Sequence, residues 1–212
     1  MSNPNYLEDA WVYLSGGMNY VEDEGVAWRR EFIYLSHKYN LNLLCLDPTD
    51  KPLNHYGDNS VKEEKEYQKR LKETKQWKTL KNYVSLYRRE DLRYVDLSDF
   101  VVVHIDPTVP QWGTADETYF AESQHKPRFF ICEGGLKNLP TWLFDVIDVD
   151  DPSEGTRCNV FESAKEVIQE LVKYNSGELK MGDKWLLLRK NINKYKEKQF
   201  ELIKSRLTNF ST

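Results

Sequence analysis

The run Phe-Val-Val-Val-His-Ile over residues 100–105 constrains this chain more than any other feature. A strand with no polar face must be covered on both sides, which in practice means a parallel strand inside a helix-covered sheet. The other apolar runs fit around it. Trp11–Leu14 is expected as a strand ended by Ser15-Gly16-Gly17, and Leu41–Leu46 as a strand stopped by Asp47-Pro48. Arg128–Cys132 reads as a fourth strand, and Leu143–Val149 is expected as a fifth.

Helical stretches alternate with these strands. Residues 23–39 carry a stripe of Val26, Phe32, Ile33, Leu35 and Tyr39. Lys62 to about Asp96 reads as two helices, one polar and one more buried through Val84, Leu86, Leu92 and Val95. Thr114–Gln124 is a short helix, and Glu162–Tyr174 turns Ala164, Val167, Ile168, Leu171 and Val172 inward. This alternation predicts right-handed βαβ units and an α/β, flavodoxin-like three-layer sandwich, with a five-stranded parallel sheet in the order 2-1-3-4-5. The α/β domain is expected over residues 1–176, with a helical C-terminal extension over 177–212. The apolar knot Trp185–Leu188 in that extension serves either core packing or a subunit interface.

In such sheets ligands bind beyond the carboxyl ends of the strands, at the point where strand order reverses. That point lies between the first and third strands, so two loops are selected: Ser15–Asn19 and Asp106–Thr114. Composition narrows the ligand. A net charge of −4 argues against a general nucleic-acid binder. The basic cluster between Lys62 and Arg93 is interleaved with Glu63, Glu64, Glu66 and Glu73, the pattern of a solvated helix face. Cys45 and Cys132 sit in apolar runs and the four histidines do not gather, so a reducing cytoplasm and no structural metal are expected. No signal pattern precedes the first strand, and no apolar run approaches the ~18–20 residues of a membrane span.

The segment from Asp91 to Glu117 holds most of the chemistry. It places carboxylates before the third strand (Asp91, Asp96, Asp99), at its end (Asp106) and at the start of the next helix (Asp116, Glu117). Taken singly, each has a structural explanation. Thr114-x-x-Glu117 reads as a capping box, Asp99 as part of the helix-to-strand turn, and Asp106-Pro107 as a strand terminator. Gly16-Gly17 is short of a full phosphate-loop pattern.

The set as a whole resembles the nucleoside 2-deoxyribosyltransferase family and its relatives, the 2′-deoxynucleoside 5′-monophosphate N-glycosidases. The resemblance runs from about Trp11 to Cys132. It is carried by Val12-Tyr13-Leu14-Ser15-Gly16-Gly17, Asp91-Leu92, Ser98-Asp99, Gly113-Thr114-Ala115-Asp116-Glu117, Ala121 and Lys126-Pro127. It implies that Glu117 attacks the anomeric carbon of a deoxyribose as the base leaves, giving a covalent glycosyl-enzyme intermediate. Asp91 would then assist the departing base, and Tyr13 would hold the nucleophile. The chemistry suits these residue types, because cleaving an N-glycosidic bond builds positive charge on the sugar that a carboxylate stabilises and traps. A glutamate in the first helical turn would also gain from the helix dipole.

The resemblance further implies substrate contacts from Ser15, Gly16, Gly17, Asp106, Gln111, Trp112, Gly113 and Thr114. Transferases often carry an Asp where this chain has Gln111, which makes stacking by Trp112 the expected base contact. The monophosphate-specific branch carries a Ser at Gly17 and a basic residue at Asn19, which leaves Ser15 and the turn amides as the phosphate or sugar contacts. Relatives complete the pocket from a neighbouring subunit, so a homodimer or larger oligomer is expected, with no cofactor and no metal. The insertion around residues 62–81 and the tail after Gly177 lie outside the minimal family domain. A non-catalytic nucleotide-sensing module on the same fold is the rival reading. A flavin carrier is disfavoured by the lack of a Ser/Thr-rich first loop.

Overall fold

The computed structural model of the chain describes residues 5–18, 21, 23–50, 61–151, 153, 157–182 and 184–185. Five strands, β1 (Trp11–Gly16), β2 (Leu44–Leu46), β3 (Phe100–Ile105), β4 (Arg128–Cys132) and β5 (Val160–Phe161), form one sheet in the order β2-β1-β3-β4-β5. Every pairing is parallel. The helices are α1 (Val26–Lys38), α2 (Val61–Glu73), α3 (Trp77–Leu97), α4 (Trp112–Ser123) and α5 (Ala164–Ser176). This is the flavodoxin-like arrangement that the strand and helix alternation predicts.

Side-chain parity divides the core into two layers. Phe100 and Val102 of β3 join Val12 and Leu14 of β1 in a cluster under α1 and α5, with Phe32, Val167, Ile168 and Leu171. Val101, Val103 and Ile105 face the other way and join Tyr13, Val95 of α3 and Ala121 of α4. The tail returns to the first layer. Trp185 is buried against Phe100, Phe129 and Tyr174, with ring centroids 5.2–5.9 Å apart. The knot therefore contributes at least this indole to core packing, while residues 186–212, including the expected tail helix, lie outside the described residues.

Three expectations need correction. The fifth strand is Val160–Phe161, paired with Phe130 and Ile131 of β4, and not Leu143–Val149. Thr141–Asp145 is instead a short 3-10 helix. Its neighbourhood buries Leu143, Val146 and Ile147, a spacing of three and four that belongs to a helical face rather than to an alternating strand. In α3 the buried residues are Tyr83 and Val95, whereas Val84 and Leu86 are exposed, because the helix turns its tyrosines toward α2 and the sheet. Tyr67, Tyr83 and Tyr87 pack edge to face there, with centroids 4.9–5.1 Å apart.

The third correction concerns α4, which starts at Trp112 and not at Thr114. Its N-cap is Gln111, without a side-chain cap, so Thr114 and Glu117 do not form a capping box. Glu117 is the sixth residue of the helix. That places it in the second turn, where the dipole contributes little. Thr114, Glu117, Thr118 and Ala121 form the buried stripe of α4 and face the sheet.

Candidate active site

Tyr13 and Ser15 are two apart on β1 and so point to the same face of the sheet, the face that α4 covers. Glu117 meets them there. The Tyr13 hydroxyl donates to Glu117 Oε1 at 2.9 Å, and the Ser15 hydroxyl donates to Oε2 in a shorter bond. Tyr13 and Ser15 are fully buried, and Glu117 is 9% exposed. Ser15 stands toward the carboxyl end of β1 opposite Val103, Tyr13 lies mid-strand opposite Val101, and Glu117 joins the two on the strands where the order reverses. The T-x-x-E segment is thus a pair of core-facing positions, and its acid is spent on β1 rather than on capping its own helix.

The electrostatics follow from burial. Removal from water pushes the Glu117 carboxyl up from 4.5 to about 7, and the negative charge of Asp91 on α3 adds to the rise. The hydrogen bonds from Ser15 and Tyr13 and the positive charge of Arg29 act in the opposite direction. Burial also raises Tyr13 well above its ordinary value, reinforced by Glu117 and Asp91, so this phenol stays a proton donor in its hydrogen bond. Near neutral pH the site therefore holds a carboxyl balanced between its two forms, oriented by two donors, with a second carboxylate nearby. This is an environment suited to nucleophilic or acid–base work.

Other residues selected from the sequence fall differently. Gly16 is covered by Trp28 and His104, since a Cβ there would lie 2.8 Å from the indole. Gly17 is covered by Gln111, whose amide nitrogen would lie 2.6 Å from a Cβ. Gln111 in turn accepts from the Asp106 amide at 3.1 Å and so pins the loop between β3 and α4. The Asp106 carboxylate accepts from the amide and hydroxyl of Thr108, at 2.9 and 2.6 Å, and terminates the strand in its own turn. Thr114 is buried, its carbonyl taken by the Thr118 hydroxyl. Gly113 has open space beside it, and Trp112 is 83% exposed at the start of α4. Asn19 lies outside the described residues.

The remaining motif positions are structural. Asp99 binds the Trp11 amide through its carboxylate at 2.8 Å and registers the start of β1 against β3. Lys126 is buried and donates to the carbonyls of Val95, Asp96 and Ser98 at 2.5–2.8 Å, closing the C-terminus of α3. It thereby fixes the helix that carries Asp91. Sequence reasoning missed Arg29, a fully buried cation beside the tip of β1. A signal was available: position 29 falls inside the stripe of Val26, Phe32 and Ile33, where a charge has no place unless it has work to do. Among the described residues no group of three or more His, Cys, Asp or Glu could hold a metal ion, and no helix is long and apolar enough to cross a membrane.

No family model matches this chain, and no curated protein matches it.

Proposed function

We propose that this protein cleaves or transfers the N-glycosidic bond of a deoxynucleoside, nucleoside or nucleotide through a covalent glycosyl intermediate on Glu117. One observation carries the reading: a buried carboxyl, gripped by Tyr13 and Ser15, on the strands of a parallel sheet where the order reverses. Bond cleavage places positive charge on the sugar ring, and that charge favours the ionised form of a carboxyl otherwise balanced near pH 7. A Glu117 oxygen bonds to the anomeric carbon as the base departs with the bonding electron pair. Asp91 stands beside the same carboxyl and is the group in this reading that assists the base with a proton or hydrogen bond. Water or a second base then displaces the sugar from Glu117 and restores the carboxyl.

With Gln111 and Asp106 engaged in their loop, the base is left to stacking and backbone contacts, to which Trp112 would contribute if substrate draws it in. The test is direct. The protein is incubated with a panel of nucleosides, deoxynucleosides and their monophosphates, and free base is measured. Release by the wild type and its loss in Glu117→Gln are expected. Release that survives the substitution removes Glu117 from the role, and binding without release in the wild type favours a sensing module instead.

A further inference from the structure

Burying a guanidinium is costly unless its nitrogens find acceptors, and each of the three nitrogens of Arg29 does so in an informative place. β2 pairs with β1 only as far as Tyr13 opposite Leu46, whereas β3 continues to pair as far as Gly16. Leu14 and Gly16 therefore lie past the end of β2. Arg29 reaches across from α1 and donates to both carbonyls, Nε to Leu14 at 3.0 Å and Nη2 to Gly16 at 2.9 Å. Ser15 is the residue between them.

The third nitrogen, Nη1, donates to the Gly25 carbonyl at 2.7 Å and ties the entry of α1 to the same point. Gly25 adopts φ +73°, and a Cβ there would fall 2.4 Å from the Gly17 carbonyl oxygen and 2.6 Å from Nη1, so only glycine permits the arrangement. Asp47, just after β2, lies 3.6 Å from Nε. The Trp28 indole lies against the guanidinium at 4.7 Å and stacks on His104 at 5.0 Å.

We propose that Arg29 is a positioning residue for Glu117: its planar fork fixes the tip of β1 so that the Tyr13 and Ser15 hydroxyls meet the carboxyl. Its positive charge acts on that carboxyl from the opposite face of the sheet. The groups acting on Glu117 are Tyr13 and Ser15 from β1, Asp91 from α3 and Arg29 from α1, with Asp47 behind the guanidinium. A lysine ammonium cannot span three carbonyls on two segments in one plane, so the assignment is specific to arginine. The proposal deepens the glycosidic reading, and it rests on that reading only for its activity measurement.

The experiment follows the side-chain carboxyl carbon of Glu117 by NMR in carbon-13-labelled protein, with the Glu117→Gln spectrum identifying the resonance. Arg29→Gln should move the titration midpoint of Glu117 upward by roughly half a pH unit or more, and should cut base release at neutral pH at least tenfold through kcat rather than KM. Asp47→Asn should move the midpoint downward, because it removes the negative charge facing the guanidinium. The asparagine oxygen can still accept the bonds from Thr49 that Asp47 Oδ1 accepts at 2.7 Å. Opposite shifts support the proposal. Unchanged midpoints, or shifts of the same sign, overturn it. Should Arg29→Gln fail to fold, the downward shift in Asp47→Asn decides alone, and its absence overturns the proposal. The midpoints need no substrate, so a wild-type protein that releases no base counts against the glycosidic reading and leaves this test standing.

Discussion

Replacing Glu117 with glutamine should stabilise this protein at alkaline pH and not at acid pH. The folded carboxyl titrates at about 7 against an ordinary 4.5, chiefly because burial disfavours its charged form. The folded state therefore binds the proton more tightly than the unfolded state. Stability falls as pH rises from about 4.5 to about 7 and is level above that. At about 1.4 kcal/mol per pH unit, the whole window corresponds to ~3 kcal/mol. Glutamine does not titrate, so the stability difference between variant and wild type should grow by that amount between pH 4 and pH 8. The cost of exchanging one hydrogen-bonding pattern for another at Tyr13 and Ser15 is the same at both pH values and cancels. Urea unfolding at the two pH values measures the difference, and for a domain of this size it equals a change of roughly 6–12 °C in Tm. A difference that does not depend on pH, or that shrinks as pH rises, would refute the claim that the acid is held in a buried, charge-opposing site.

Three further substitutions probe the same site. Tyr13→Phe removes one of the two donors on the carboxyl and should lower turnover on the order of 10- to 100-fold, with the acid limb of the pH–rate profile moved upward. Asp91→Asn removes the negative charge that raises Glu117, so a carboxyl NMR titration should find the Glu117 midpoint lower than in the wild type. Lys126→Met leaves three carbonyls at the end of α3 without their shared donor and should cost about 2–4 kcal/mol in urea unfolding. Activity should then weaken through displacement of Asp91.

The sheet was legible because its strands announce themselves by composition. Phe100–Ile105 has no polar face, and Arg128–Cys132 is apolar from end to end after its arginine, so composition alone delimits both strands. The fifth strand was not, because Val160–Phe161 is two residues long and carries no periodicity, while the richer run nearby follows helical spacing. The pairing of Tyr13 with Glu117 is one that the family resemblance implies. The partnership of Ser15 with the same carboxyl follows from parity, since residues two apart on a strand share a face. Asp106 and Gln111 looked like ligand contacts because of where they stand, yet each satisfies a backbone amide of its own loop. Local hydrogen bonding of that kind competes with function and leaves no mark in a residue count. Arg29 is conspicuous in its apolar stripe, but its role is not legible there: the carbonyls it serves become orphaned only when β2 ends before β1, a fact of the assembled sheet.

Covalent catalysis at this site requires that a sugar become bonded to Glu117. Nucleoside analogues bearing fluorine at the second sugar carbon disfavour positive charge on the ring and slow breakdown of a glycosyl intermediate, so the protein can be treated with them and analysed by intact-mass and peptide mass spectrometry. The expected result is one added sugar, without its base, located on Glu117 and missing from Glu117→Gln. Base release with the sugar found on another residue, or continuing undiminished in Glu117→Gln, would contradict the account.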